Sequence, residues 1–218
     1  MSSNDKIEIL YEYTTKYDIM FKIIIIGNSG VGKSCLTLRV TKNKYIDNYT
    51  PTIGYENSSL FFRINEKIIK FEIWDTCGQE TYRSLIKSYY KNASLVILVY
   101  SVDDLTSYNN LKIWLNDIKS FTEEKIKMIL VGNKIDINDD KIKITKEMGY
   151  KFYKENNFNN FFESSAKTGY NINNIFIQGA KILYEDYFNK KEGNENNNNI
   201  VIEDNNKVFQ TCNNNICC

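Results

Sequence analysis

A glycine-rich stretch at residues 27–34 has the residue types and the spacing of a phosphate-binding loop. It reads G-N-S-G-V-G-K-S, follows an isoleucine-rich run and leads into a helical pattern. The glycines allow backbone conformations and close approaches that a Cβ would block, so main-chain N–H groups and the helix start can face an anion. Lys33 adds a positive charge at the β- and γ-phosphates, and Ser34 offers a hydroxyl to Mg²⁺. The motif predicts a nucleoside triphosphate site formed by Gly27, Ser29, Gly30, Val31, Gly32, Lys33, Ser34 and Cys35.

A second motif, N-K-I-D at residues 133–136, indicates which base is bound. The carboxylate of Asp136 can accept hydrogen bonds from the N1 and exocyclic N2 groups of guanine. Adenine offers no such pair and would leave a buried carboxylate without donors. The motif follows a strand-like run, at the kind of strand end where open α/β sheets bind ligands. With a further polar turn, S-S-A-K at residues 164–167, it favours guanine over adenine nucleotides.

The composition excludes several other kinds of chemistry. The chain of 218 residues has no histidine, which excludes Ser-His-Asp and Cys-His nucleophiles and His-ligated metal sites. Its 28 Lys and Arg nearly balance its 27 Asp and Glu, so the charge gives no reason to expect nucleic-acid binding. The cysteines form no C-x-x-C pair within the domain, so we expect neither a zinc site nor a disulfide framework.

Short apolar runs alternate with amphipathic stretches along most of the chain. The strand-like runs are residues 21–26, 68–74, 94–100 and 127–131, and the helix-like segments are residues 33–42, 107–121, 145–155 and 171–188. This alternation predicts an α/β fold with a mostly parallel sheet and helices on both faces. Residues 59–64 and 68–74 form a predicted hairpin, which adds one antiparallel edge strand to a six-stranded sheet. These elements place both nucleotide motifs directly after strands.

Across residues 20–188 the chain resembles the Rab family of the Ras superfamily. Besides the motifs above, it carries T-P-T-I-G at residues 50–54, W-D-T-C-G-Q-E at 74–80 and S-A-K at 165–167, in the family's order. The resemblance implies a P-loop GTPase domain over residues 20–188 that binds GTP or GDP with Mg²⁺. An N-terminal extension, residues 1–19, precedes it. The Asn-rich residues 189–218 have few apolar side chains to bury and are expected to be a disordered tail.

For the base, the resemblance implies contacts from several segments. Tyr45 is expected to stack on guanine, and the stem of Lys134 is expected to cover the ring. Asn133 should brace the phosphate loop, and the backbone N–H of Ala166 should contact the guanine carbonyl. The nucleotide-binding residues of the last motif are Ser165, Ala166 and Lys167.

For the phosphates, the resemblance implies Mg²⁺ held by Ser34 and Thr52, with Asp75 acting through water. The backbone N–H of Gly78 is expected to contact the γ-phosphate. Loss of that phosphate removes partners from two loops at once, so both should relax on hydrolysis. These predicted switch loops are residues 44–54 and 76–87.

The expected catalytic residues are Lys33, Thr52 and Gln79, with Gln79 orienting the attacking water. No arginine is placed as an internal finger, since Arg39 and Arg83 qualify by charge alone. Hydrolysis is therefore expected to be slow and to need an activating protein.

Assignment to the Rab branch depends on segments beside the switches. The resembling segments are K-F-E-I-W at residues 70–74, Y-R-S-L at 82–85 and Y-Y-K-N-A at 89–93. The chain departs from the family at Cys77, where Ala is usual, and at Ser101, where Asp is usual. Asn57 replaces an aromatic residue that, with Trp74 and Tyr89, forms the family's effector-facing triad. We therefore expect Asn57→Phe to restore an aromatic there and to change effector choice.

The last two residues, Cys217 and Cys218, resemble sites of double geranylgeranylation. Residues 189–218 carry three Lys against four acidic residues, a net charge of −1, so no polybasic patch assists membrane binding. One lipid chain gives only marginal attachment, so two are expected. The resemblance thus implies a lipid anchor on the cytoplasmic face of intracellular membranes, with a cytosolic pool.

The predicted function is a GTP-binding and GTP-hydrolysing switch that controls vesicle trafficking. We expect as partners a guanine nucleotide exchange factor, a GTPase-activating protein, effectors that bind the switches, and prenyl-delivery and membrane-extraction proteins. The protein itself is expected to be a monomer. Two alternatives stay open, a Ras-type signalling GTPase and a nucleotide-bound scaffold with negligible hydrolysis. An ATP-dependent P-loop kinase is a more distant third.

Overall fold

A seven-stranded sheet forms the centre of the fold. The computed structural model describes residues 6–47, 54–77, 89–122 and 126–195, with side chains described as far as residue 189. The strands are β1 Ile7–Leu10, β2 Ile19–Ile26, β3 Tyr55–Ile64, β4 Lys67–Thr76, β5 Leu95–Ser101, β6 Lys127–Asn133 and β7 Asn160–Glu163. They lie in the order β1-β3-β4-β2-β5-β6-β7.

The pairing confirms an α/β fold with a mostly parallel sheet. β4, β2, β5, β6 and β7 pair in parallel, whereas β3 runs antiparallel to both of its neighbours. Two details of the prediction were wrong. The sheet has seven strands instead of six, and the antiparallel strand is not at the edge. The reason is β1, which pairs with β3 from Ile7 opposite Ile64 to Leu10 opposite Phe61.

The unpredicted strand β1 lies within the segment that the sequence assigned to an extension, residues 1–19. Ile7 and Ile9 pack against the core, while the intervening Glu8 lies 3.6 Å from Arg63 on the neighbouring strand. An alternation of four residues is too short to distinguish a strand by its period. Pairing with β3 satisfies main-chain groups that would otherwise remain open at the sheet edge.

The α-helices that the structure describes are α1 Lys33–Lys42, α2 Leu105–Asn109, α3 Leu111–Phe121, α4 Lys146–Glu155 and α5 Ile172–Glu195. Asn110 divides the predicted segment 107–121, because it caps the end of α2 and the start of α3. α5 continues past the predicted end at residue 188. None of the helices in the described ranges is long and apolar enough to cross a membrane.

Helices cover both faces of the sheet, as predicted, and each face has its own apolar cluster. Leu36 of α1 and Phe176 of α5 belong to one cluster, and Trp114 of α3 belongs to the other. Successive side chains of a strand point to opposite faces, so Ile25 joins the first cluster and Ile26 the second. The buried central strands thus hold the loops at their ends from both sides.

Candidate nucleotide-binding site

The phosphate loop begins where β2 ends, between the sheet and α1. Gly27 has φ 139°, and a Cβ at this position would lie 2.1 Å from the carbonyl oxygen of Val99 on β5. Gly32 has φ 98° and forms the N-cap of α1. Both conformations favour glycine, because a larger residue would be strained or would collide with the neighbouring strand. The main-chain N–H groups at the start of α1 therefore face the loop, as an anion site requires.

Lys33 lies back along the inside of this loop. Its ammonium donates hydrogen bonds to the carbonyl oxygens of Gly27, at 2.9 Å, and Asn28, at 2.8 Å. The side chain is only 5% exposed. Burial lowers the pKa of Lys33 to about 8, against the opposing effect of the Asp75 carboxylate. The loop carbonyls thus hold the ammonium beside the place where the motif predicts the phosphates.

Asp75, near the end of β4, has the character expected of a Mg²⁺ partner. Its side chain is 1% exposed, and neither carboxylate oxygen accepts a hydrogen bond of standard geometry from the described part of the chain. Burial raises its pKa to about 6, although the nearby Ser34 hydroxyl and Lys33 ammonium oppose this shift. A buried carboxylate without donors is costly unless a cation accompanies it. The donor set therefore fits Mg²⁺.

This fit does not depend on a cluster of protein ligands. The described residues contain no group of three or more Cys, Asp or Glu that could hold a metal ion. Mg²⁺ commonly binds through one or two protein oxygens, with waters and substrate phosphates completing the octahedron. Asp75 and Ser34 are consistent with that mode. The third predicted ligand, Thr52, lies outside the described residues.

Asn133 joins the phosphate loop to the predicted base loop. Its side-chain amide donates to the carbonyl of Val31 at 2.9 Å, and its side-chain oxygen accepts from the Ser164 hydroxyl and the Ala166 N–H, each at 3.2 Å. Asn133 is 1% exposed. One buried side chain thus fixes both loops relative to β6. The Ala166 N–H, which the resemblance assigns to the guanine carbonyl, is directed at Asn133 in this structure.

Asp136 is oriented by the same loop. One of its carboxylate oxygens accepts a hydrogen bond of 2.5 Å from the hydroxyl of Ser165. That hydroxyl in turn accepts from the N–H of Thr168 at 3.0 Å, which fixes its direction. The carboxylate is thus held in place while its other oxygen and remaining lone pairs stay available to a ligand.

Lys134, between these two residues, has a left-handed backbone with φ 69°. Its ammonium lies 4.0 Å from the carboxylate of Asp103, two residues after the end of β5. Asp103 also accepts a short hydrogen bond from the hydroxyl of Ser101, which is 1% exposed. Where the family usually has Asp at position 101, this chain therefore supplies a carboxylate two residues later.

Arg39 of α1 reaches the base loop, a contact that the sequence did not predict. Its guanidinium donates to the carbonyl oxygen of Ala166 at 2.9 Å and to that of Lys167 at 2.5 Å. The half-buried Tyr45 ring lies 5.9 Å from the same guanidinium. Arg39 had qualified as an arginine finger by charge alone, but these bonds direct it to the base side. No motif contains it, so only its place on the helix after the phosphate loop could have suggested this role.

Several predicted site residues cannot be placed. Thr52, Gly78 and Gln79 lie outside the described residues, as do Arg83 and the terminal residues Cys217 and Cys218. At the border of the described ranges, the N–H of Cys77 donates to the carbonyl of Gly54 at 2.9 Å. This bond joins the end of one predicted switch loop to the beginning of the other.

An aromatic triad lies beside the predicted switches, and its third member is not at position 57. Tyr55 stacks on Trp74 with ring centroids 4.4 Å apart, and its ring lies 5.0 Å from that of Tyr89. Asn57 donates instead to the carboxylate of Glu72 at 3.0 Å. Residues 55 and 57 lie on one face of β3 because strand side chains alternate. Position 57 is thus polar, as the sequence shows, and Tyr55 supplies a third ring beside Trp74 and Tyr89.

Comparison with known proteins agrees with this geometry. The sequence model of the Ras family matches residues 22–185, which excludes β1. The chain is 42% identical over 162 residues to "Ras-related protein RABD2c" of Arabidopsis thaliana, covering 74% of this chain and 79% of that protein. It is 39% identical over 170 residues to "GTP-binding protein ypt1" of Schizosaccharomyces pombe, covering 78% and 83%. A third relative, "GTP-binding protein YPTM2" of Zea mays, is 41% identical over 165 residues, covering 76% and 80%.

Proposed function

The chain belongs to the Ras family and, within it, to the Rab small GTPases, and from this premise we propose that it is a membrane-anchored switch whose GTP-bound form recruits effectors. As a member of this branch it binds guanine nucleotide, hydrolyses GTP and takes part in vesicle trafficking, with regulators and effectors as partners. The identities of its effectors, its Mg²⁺ contacts and its mode of membrane attachment belong to the proposal.

The observation that carries the nucleotide part of this proposal is the position of Asn133. Its hydrogen bonds to Val31 and Ala166 hold the phosphate loop and the base loop in one arrangement. A guanine nucleotide lies across these loops, with its base hydrogen-bonded to Asp136 and its phosphates at the start of α1. Tyr45 and the stem of Lys134 cover the base.

In the reaction, Lys33 exchanges its loop carbonyls for oxygens of the β- and γ-phosphates. Ser34 and Thr52 would hold Mg²⁺, with Asp75 acting through water, and the ion would supply positive charge to offset the charge on the phosphates. Gln79 orients the attacking water. Phosphoryl transfer needs positioning and charge stabilisation more than covalent chemistry, and this chain's lysine, hydroxyls and amide supply both.

The switch is carried by the two loops on either side of the Gly54–Cys77 bond. Thr52 and Gly78 each gain a partner when the γ-phosphate is present, and both lose it on hydrolysis. The hydrogen bond from the N–H of Cys77 to the carbonyl of Gly54, at 2.9 Å, joins the ends of the two loops. We propose that a change in one loop reaches the other through this bond.

The effector surface is the aromatic triad formed by Tyr55, Trp74 and Tyr89. Tyr55 is 44% exposed, so its ring is accessible to a partner even while it stacks on Trp74. Stacked aromatic rings supply rigid contact area at a low cost in conformational entropy, which suits a binding hot spot. Asn57 and Glu72 add a polar rim. The chain is expected to select effectors whose surface accepts a tyrosine ring at position 55 and a polar residue at position 57.

A comparison of nucleotide states tests this proposal. Full-length protein loaded with a non-hydrolysable GTP analogue should capture partners from its own cell extract that GDP-loaded protein does not. Tyr55→Ala should abolish this capture and leave GDP dissociation unchanged. Asn57→Phe is expected to change which partners are captured. Equal capture in both nucleotide states would contradict the switch function, and unchanged capture by Tyr55→Ala would remove Tyr55 from the effector surface.

Membrane attachment is tested separately at the terminal cysteines. Replacing either Cys217 or Cys218 with Ser should leave nucleotide binding intact and shift the protein partly from the membrane pellet to the supernatant. Replacing both should release it completely, because one lipid chain binds only marginally and none remains. Unmodified thiols in the C-terminal peptide of membrane-bound protein, seen by mass spectrometry, would contradict a lipid anchor at these residues.

A further inference from the structure

The phosphate loop has a second anchor on the opposite side from Asn133. The indole N–H of Trp114, on α3, donates to the side-chain oxygen of Asn28 at 2.8 Å, across 86 positions in the sequence. Trp114 is 4% exposed and belongs to the apolar cluster on one face of the sheet. Val31, the loop residue bonded to Asn133, belongs to the cluster on the other face. The loop is therefore held from both faces.

Asn28 joins this anchor to the lysine of the phosphate site. Its side chain accepts from Trp114, and its main-chain carbonyl accepts from the ammonium of Lys33 at 2.8 Å. The side chain that fixes Asn28 and the carbonyl that holds Lys33 thus belong to one residue. The bond from Trp114 therefore restrains the position of the residue whose carbonyl holds Lys33.

The hydrogen bond from Trp114 restricts the conformations that the phosphate loop can adopt. A buried indole N–H costs free energy when it has no partner, so a Trp at this position prefers conformations of the loop that present an acceptor. A neutral hydrogen bond of this kind makes a modest net contribution, which is enough to change a dissociation rate several-fold. A loop ordered before the ligand arrives binds it with a smaller entropic cost.

We propose that Trp114 is a positioning residue for phosphate binding, which acts through Asn28 to keep the loop and Lys33 in the binding conformation. This rests on the proposed function, in which that loop binds the phosphates of a guanine nucleotide. Trp114 touches no nucleotide in this account. Its effect is on how long the nucleotide stays bound, equally for GDP and GTP, because both carry the β-phosphate.

The test is a double-mutant cycle on the full-length protein, with dissociation of a fluorescent GDP analogue as the measurement. Asn28→Ala and Trp114→Phe should each accelerate dissociation about three- to tenfold, the effect of one lost hydrogen bond. The double variant should be no faster than the faster single variant, because both changes remove the same bond. Asn116→Ala, at an exposed position of α3, is the matched control and should dissociate at the parent rate.

A second measurement separates positioning from a simple loss of packing. The chain has two tryptophans, so Trp74→Phe leaves Trp114 as the only one. Its emission should change when EDTA releases the nucleotide, and this change should disappear when Asn28→Ala is added. A merely structural Trp114 would give the same emission change with and without the Asn28 side chain.

The outcomes distinguish this inference from the function on which it rests. If Lys33→Ala retains tight nucleotide binding, the phosphate-loop assignment itself is wrong. If Lys33→Ala abolishes binding while Asn28→Ala and Trp114→Phe dissociate GDP at the parent rate, the positioning role of Trp114 is overturned and the proposed function stands. Independent, multiplying effects of the two substitutions would likewise overturn it.

Discussion

The two sides of the nucleotide site differ in how their polar groups are satisfied. On the base side, Asn133, Asp136 and Arg39 all form hydrogen bonds with the segment 164–167. On the phosphate side, neither carboxylate oxygen of Asp75 accepts a hydrogen bond of standard geometry from the described residues. The groups of the base side are thus held by partners within the protein, whereas the carboxylate of Asp75 is left to the Mg²⁺ that we propose for the phosphate side.

This difference corresponds to the two tasks of a switch. Tight, unchanging recognition of guanine calls for groups that are ordered before binding, since that reduces the entropic cost. Sensing the γ-phosphate calls for groups whose partners appear and disappear with the ligand. Hydrogen bonds within the protein would make Asp75 insensitive to its ligand. Because Asp75 is buried with little support from protein donors, we expect the conformation of this side to depend on nucleotide and metal.

The largest effect should come from breaking the base side. Asp136→Asn presents an amide N–H₂ group where guanine offers N1–H and N2–H₂ donors, so GTP affinity should fall by roughly a thousandfold, or about 4 kcal/mol. Xanthine nucleotides, which carry an oxygen at that position, should bind better than guanine nucleotides. Competition of GTP and XTP against a fluorescent nucleotide measures both. Equal GTP affinity in Asp136→Asn and the parent would refute the assignment of base selection to this residue.

The phosphate side should respond in the opposite way, with binding kept and reaction lost. Gln79→Leu removes a group that we propose to act on the attacking water instead of on the nucleotide. GTP affinity should remain, while single-turnover hydrolysis with a cognate activating protein should fall about a hundredfold. Hydrolysis at the parent rate in both the presence and the absence of the activator would exclude Gln79 from the mechanism.

The sequence could predict the two nucleotide loops but not the contacts between remote residues that hold them. The contiguous motifs around Lys33 and Asp136 locate both loops, because each motif lies directly after a strand. β1 could not be predicted, since four residues carry too little periodicity and their partner strand lies far along the chain. The contacts of Arg39, Trp114 and Tyr55 likewise join residues remote in sequence, and no single motif contains both ends of such a contact.

A smaller effect should come from loosening the base loop without touching its recognition groups. Arg39→Ala removes two charge-assisted hydrogen bonds, a partly buried one to the carbonyl of Ala166 and an exposed one to that of Lys167. GDP dissociation should accelerate about tenfold, equal to roughly 1.4 kcal/mol, while the preference for guanine over xanthine is kept.

The control for this change is Lys42→Ala, which removes a positive charge from the exposed end of the same helix. It should leave the dissociation rate unchanged. If Arg39→Ala instead preserves GDP dissociation but slows hydrolysis, Arg39 acts on the transition state after all, and the division between the two sides is misplaced.

The smallest expected effect concerns the carboxylate that this chain places at position 103. Asp103 lies 4.0 Å from the Lys134 ammonium, and both side chains are more than one-third exposed, so solvent screens their attraction. The pair should therefore add little to folding stability.

Its effect on binding arises because a lysine held at its ammonium loses less rotamer freedom when its stem covers the base. Asp103→Ala should accelerate GDP dissociation about two- to fivefold. In a Lys134→Ala background the same substitution should have no effect, because the group that Asp103 positions is absent.

Ser101→Ala should give a weaker form of the same result, since it frees the carboxylate without removing it. Raising the salt concentration should reduce the difference between Asp103→Ala and the parent, as expected for an exposed ion pair. If Asp103→Ala accelerates dissociation equally in the parent and in Lys134→Ala, the carboxylate acts on the loop itself, and the base side depends on Asp103 for its fold instead of for its lysine.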